Sequence, residues 1–162
     1  MSHVVHRALA AVSRRRELSA AWRRLDREDR VQFLRLAMLV PAIAVALRAL
    51  GFLRTQQALS SAAGRRPLQV ASQVDAWLAR ALGRARAHAP YPGNCLSQSM
   101  ALWYELRRHG RPADLCLGAR IDEGRFSAHA WVECEGRVVN DHSRVREDFL
   151  PILAPPTVAG PN

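Results

Sequence analysis

Between Asn94 and Asp141 the hydrophobic repeat changes period, and that change limits the folds open to the chain. From about Cys95 to His109 the residues read as a helix. Asn94 is a suitable N-cap, Arg107, Arg108 and His109 place cations at the C-terminus, and Gly110 and Pro112 forbid continuation. From Ala113 the period is two: Leu115, Leu117, Ala119 and Ile121 alternate with Asp114, Cys116, Gly118 and Arg120, as in a half-buried strand. Asp122-Glu123-Gly124 reads as a turn and Phe126–Glu133 as a second strand. A turn ending in Gly136 leads to a third, Arg137–Asp141. One helix followed by an antiparallel three-strand meander predicts an α+β fold.

The preceding residues have another character. Asp26 is placed to cap a helix, with Glu28 and Asp29 in its first turn, and Val31 to Leu50 is apolar and helical in composition. Pro41 is expected to kink this helix or start a second one, and Gly51 to end it. Ser60–Arg66 reads as a linker. Pro67 is placed to open a further helix with Val70, Val74, Trp77, Leu78 and Ala81 on one side, closed by Gly83 and the Ala89–Gly93 segment. Residues 1–25 are Arg-rich and weakly periodic, in keeping with a frayed helix. The sequence thus divides into a basic, apolar-helical region, 1–85, and an α+β core, 86–162.

Charge follows the same division. There is no Lys; residues 1–85 hold 15 Arg against five acids, and residues 86–162 hold nine of each. The whole excess of +10 lies in the first half, which suits docking of an acidic partner or a solvated helix face. Nucleic-acid binding is disfavoured, because the first half has few aromatics for stacking and its Arg residues interrupt apolar helices. The apolar run Leu36–Leu47, bounded by Arg35 and Arg48, is shorter than the ~20 residues of a membrane span, so no span is expected. The N-terminus lacks the apolar run of a signal peptide, and three unpaired cysteines fit a reducing cytoplasm.

Cys95 heads the predicted helix, where free N–H groups and the helix dipole favour a thiolate, the reactive form of a nucleophilic cysteine. His129 and Asp141 supply the other partners. With a three-residue turn, Cys134-Glu135-Gly136, Glu133 faces Arg137, Val132 faces Val138, Trp131 faces Val139 and His129 faces Asp141. Cross-strand charge and β-branched pairing favour this register over a two-residue turn. Residues directly opposite have Cβ atoms about 5 Å apart, so the carboxylate can orient the ring. The result is a Cys95-His129-Asp141 triad for acyl transfer, with the Cys95 backbone N–H as an oxyanion donor. Asn94 and Gln98 are both near enough in sequence to be a second donor, and nothing selects either. Cys116 and Cys134 read as structural, and Trp131 as core or cleft lining. A zinc site from the three cysteines with His129 or His142 lacks a close ligand pair, so neither metal nor cofactor is expected.

The stretch Asn94-Cys95-Leu96-Ser97-Gln98-Ser99-Met100-Ala101-Leu102-Trp103, closed by Arg107-Arg108-His109-Gly110, resembles the nucleophile helix of the lasso-peptide leader peptidases. Ala128-His129-Ala130-Trp131-Val132-Glu133 and Gly136-Arg137-Val138-Val139-Asn140-Asp141 resemble their His and Asp segments. The likeness is close over roughly 90–152. The helical first half, including Leu-Asp-Arg-Glu-Asp-Arg at 25–30, is similar in character only. These enzymes belong to the transglutaminase-like superfamily, so the resemblance implies a papain-like core, with Cys95 as nucleophile, His129 as base and Asp141 as orienting acid. It further implies removal of the leader from a ribosomally made precursor peptide, a separate leader-recognition protein as partner, and a cyclase that closes a macrolactam on the freed core. Taken without the resemblance, the residues support thiol-dependent acyl transfer and leave the acceptor open: water in a peptidase, an amine in an acyl transferase that forms amide bonds.

Overall fold

The computed structural model describes residues 25–64 and 72–153. The chain resolves into two compact units, Met1–Gln32 and Phe33–Asn162. The expectations for residues 1–24, and those for Pro67 and Val70, lie outside the described residues.

Helix α1 spans Arg27–Ala63. The Asp26 cap forms as expected, its carboxylate accepting from the Asp29 backbone N–H at 2.7 Å. The helix runs through Pro41 and breaks instead at Gly51, whose φ of 77° and ψ of 174° suit glycine. Thr55 Oγ1 donates to the Gly51 carbonyl at 2.7 Å, one turn beyond the break. Helical structure then continues to Ala63, through much of the expected linker. Helix α2, Ser72–His88, passes Gly83 without interruption, and α3 is Cys95–Arg108.

Leu36 and Val40 of α1, Leu78 of α2, Met100 and Leu106 of α3, and Val132 of the sheet all join one buried core. Each fully buried Leu stabilises the packed state by about 1.5–3 kcal/mol. By length and composition alone α1 would also qualify to cross a membrane, with a mean hydropathy of 2.2 over its most apolar 18 residues. One face of it is buried in the core, while Leu34, Met38, Val45 and Leu53 are exposed elsewhere on its surface.

The sheet has four antiparallel strands, one more than the sequence shows: β1 Ala113–Asp122, β2 Arg125–Cys134, β3 Arg137–Val138 and β4 Leu150–Leu153. Their order is β3-β2-β1-β4. A four-residue helix, α4 Val145–Asp148, precedes β4. The Asp122–Gly124 turn is confirmed as a two-residue hairpin in which Glu123 and Gly124 have φ of 47° and 76°.

Two readings of the strands are corrected. Ile121 is exposed, not inward, whereas Cys116 on the opposite face is buried. The middle of the sheet is covered on both sides, by α3 and by a small cluster of Cys116, Trp131 and Val145, and the hairpin tip carries Ile121 beyond this cover. The β2–β3 register is also different: Cys134 pairs with Arg137 and Glu133 with Val138, so the turn has two residues. Glu135 and Gly136 both take positive φ, 53° and 75°, which matches strand twist in a two-residue turn. Buried Arg111 supports the strained Glu135 by donating to its carboxylate at 3.2 Å while gripping Asp75 at 2.7 and 2.8 Å. The hydrogen bond to Asp75 raises the Arg111 pKa, so the grip stays charged.

Candidate active site

Cys95 is the first residue of α3 and is half-buried. A reciprocal cap fixes this helix end: the Asn94 side chain accepts from Ser97 N at 2.9 Å, and Ser97 Oγ accepts from Asn94 N at 3.1 Å. The approach to it is tight. Gly93 has a φ of 77°, and a Cβ there would lie 2.4 Å from Val40 Cγ1 and 2.6 Å from Ser97 Oγ. The Gln98 amide donates to the Pro92 carbonyl at 2.8 Å. The Gln98 amide is thus engaged in holding the loop, whereas Asn94 serves the cap through its oxygen.

Helix α3 is bonded directly to β2. Ser99 Oγ, one turn after Cys95, donates to the Ala130 carbonyl at 2.8 Å. Asn140 bridges the two elements, its amide donating to Ser99 Oγ at 2.9 Å and its carbonyl accepting from Val132 N at 2.8 Å. Val139 N still donates to Val132 O at 2.9 Å, so the Asn140 side chain takes over where the backbone ladder ends.

This hand-off explains how His129 and Asp141 meet despite the corrected register. Backbone pairing ends at Val139, Asn140 makes the last link through its side chain, and Asp141 meets His129. His129 Nε2 lies 2.6 Å from Asp141 Oδ2. An ionised carboxylate only accepts, so Nε2 carries the proton and Nδ1 holds the lone pair with which the ring can act as a base. The other Asp141 oxygen accepts from the His142 backbone N–H at 2.8 Å. Burial pushes the Asp141 carboxyl up. The bonds from His129 and the His142 backbone, with the nearby imidazoles, outweigh it and hold the group below the usual carboxylate value.

Two rings support the His129 imidazole: Phe149 at 5.0 Å between centroids and Trp131, stacked, at 6.4 Å. Gly118 pairs with His129 across the β1–β2 ladder. A Cβ there would meet Phe149 Cβ at 2.8 Å and the Trp131 ring at 2.9 Å. Ser99, Gly118, Asn140 and Phe149 were not singled out in the sequence. Asn140 carried a signal, a polar side chain beside the acid at the end of an apolar run; Gly118 looked like one more outward position of an alternating strand.

The other thiols are unsuited to attack. Burial, reinforced by Glu133, pushes Cys116 up to about 12. Burial, with Asp75 adding to it, pushes Cys134 up to about 11. A cleft of about 210 Å³ lined by Asp75, Ala76, Cys134, Arg137, Val138 and Val139 contains neither Cys95 nor His129.

Among known proteins, a family model described as the transglutaminase-like superfamily matches residues 36–154. No curated protein and no solved structure gives a significant match.

Proposed function

The chain belongs to the transglutaminase-like superfamily, and from that premise we propose that it is a cysteine peptidase, with Cys95, His129 and Asp141 as its triad, that removes the leader from a lasso-peptide precursor. The observation that carries the reading is the 2.6 Å His129–Asp141 contact beside a helix headed by a cysteine. Two bonds anchor α3 along the sheet: Ser99 meets Ala130, and Trp103 donates to the carbonyl of Ala113, which pairs with Cys134. The helix therefore advances toward Cys134, and one turn back from Ser99 leads Cys95 toward the Ala128–His129 end of β2.

In this mechanism His129 Nδ1 takes the Cys95 proton and the thiolate attacks the scissile carbonyl. The Cys95 backbone N–H, at the helix start, donates to the oxyanion. Collapse expels the amine, which takes its proton from His129, and leaves a thioester. Water, deprotonated by Nδ1, then releases the acid and restores the thiol. Asp141 holds the ring in the required tautomer and stabilises the imidazolium.

The leader-peptidase assignment is supported by the three segments, around Cys95, His129 and Asp141, that resemble those enzymes in the same order. A separate leader-recognition protein would dock on the basic, apolar-helical half, where α1 presents exposed Leu34, Met38 and Val45. A ring-closing cyclase would take the freed core. Three free thiols suit a cytoplasmic setting. Superfamily membership equally supports an acyl transferase that passes the same thioester to an amine.

Mass spectrometry of a lasso precursor incubated with this protein and the recognition partner tests the reading. Cleavage at the leader–core junction that disappears in Cys95→Ala is expected. Amide formation with loss of ammonia would establish the acyl-transfer alternative, and an intact precursor with bound leader would refute the leader-peptidase reading and leave acyl transfer or a binding role.

A further inference from the structure

Glu133 is 1% exposed, and the chemistry above makes no use of it. Both of its oxygens are taken by Arg146, with Nε at 2.5 Å from Oε1 and Nη2 on Oε2. Oε1 also accepts from the Trp131 indole N–H at 2.7 Å. Burial of this carboxylate is offset by these bonds, and it stays ionised with its value lowered.

The location of this pair gives it a consequence. Glu133 lies on β2, four residues beyond His129 on the same face, with Trp131 between them. Arg146 lies in α4, between Asp141 and Phe149 in the chain. One ion pair thus fastens the segment that carries both the carboxylate on His129 and a ring against His129 to the strand that carries His129. A second set of contacts runs through the indole, which Glu133 holds by its N–H while its face stacks on the imidazole.

We propose that Glu133 and Arg146 are positioning residues for the catalytic pair, setting the His129–Asp141 geometry through Trp131 and the 141–149 segment without touching substrate. This rests on the triad reading above. Removing one partner alone would leave a buried charge unpaired and confuse folding with positioning. The informative variant therefore removes both charges: Glu133→Leu with Arg146→Met leaves no charge unpaired, its remaining cost being the Trp131 indole N–H that loses its acceptor.

Two readouts separate positioning from simple structure. The first needs no substrate. In proton NMR of the full chain, the His129 Nε2–H held by Asp141 should give a far-downfield resonance that Asp141→Ala removes. In the double variant, with its melting transition retained, this signal should broaden or vanish. The second is turnover of the precursor peptide: kcat should fall at least tenfold while KM stays within about twofold. Glu133→Gln keeps an oxygen acceptor for the Trp131 indole and Arg146 Nε and is expected to recover most of the signal and rate; if the leucine–methionine variant is unstable, Glu133→Gln with Arg146→Met takes its place, since it keeps the indole's acceptor and has no ion pair, and an unchanged signal there would overturn the proposal. A folded double variant with wild-type resonance and kcat would likewise overturn it. If the wild type cleaves no peptide yet the resonance is lost in the double variant, the positioning role stands and the peptidase reading fails.

Discussion

Replacing Gly118 by Ala adds one methyl group at a place where the structure has no room for it. The new Cβ would lie 2.8 Å from Phe149 Cβ and 2.9 and 3.0 Å from two atoms of the Trp131 ring, against the 3.5–4.0 Å of a comfortable carbon contact. None of these neighbours is a flexible chain end. Trp131 is fully buried and held through its indole N–H, and Phe149 packs against that cluster. Overpacking of this kind costs roughly 1–3 kcal/mol, well inside the ~5–15 kcal/mol that holds an ordinary domain together. The variant should therefore fold, with a melting temperature lower by about 2–12 °C for a chain of this size. Activity should suffer more than stability, because the two displaced rings are those against His129; kcat is expected to drop at least tenfold at a temperature where the variant is fully folded. Gly83→Ala is the control. Nothing lies within 4 Å of a Cβ there, and the residue sits inside α2, so this change should stabilise by about 0.5–1 kcal/mol and leave kcat unchanged. A Gly118→Ala protein with wild-type melting and wild-type turnover would refute the argument.

Asp141→Asn should cut kcat roughly 10²–10⁴-fold, because an amide donating to Nε2 forces the proton onto Nδ1 and removes the base. The same carboxylate contributes to stability with a definite sign. Its folded value is depressed, so its contribution is complete above the unfolded value of about 4 and is lost as pH falls through the lower folded one; urea titrations should show a shallower acid loss in Asp141→Asn. For the partner, Met38→Glu and Val45→Glu place charge on the exposed face of α1 and should abolish stimulation of cleavage by the recognition protein without lowering the melting temperature. Unchanged stimulation would place the docking site elsewhere.

The helix carrying Cys95 could be read from the sequence almost to the residue, because its signals are local: a cap at Asn94, cations and Gly110 at the other end. The pairing of His129 with Asp141 was reached through a register the structure does not have. The cross-strand bond expected between Glu133 and Arg137 is absent, since Glu133 is occupied by Trp131 and Arg146; Asp141 meets His129 from beyond the end of β3. Strand β4 went unseen because it is four residues long, contains Pro151 and is exposed throughout, all properties of a sheet edge and none of a buried strand. Pro41 and Gly51 show a different limit. A proline inside a helix can be tolerated when the surrounding face is packed, as with Val40 and Ile43 beside it, whereas a positive φ is a backbone requirement that glycine meets most easily.

The two hairpins of the sheet are both closed by two residues, yet they are not equivalent. From Glu135-Gly136 the chain runs only through Arg137, Val138 and Val139 before Asn140 joins Ser99 to Val132, and Asp141 follows at once. That short count acts as a ruler from the turn to the carboxylate. One residue inserted or deleted within it would leave the helices and the other hairpin undisturbed while moving the acid off its histidine. Descendants of a common ancestor that keep the same chemistry should therefore vary freely in length at Glu123-Gly124, which points into solvent, and hold a constant length from Cys134 to Asp141.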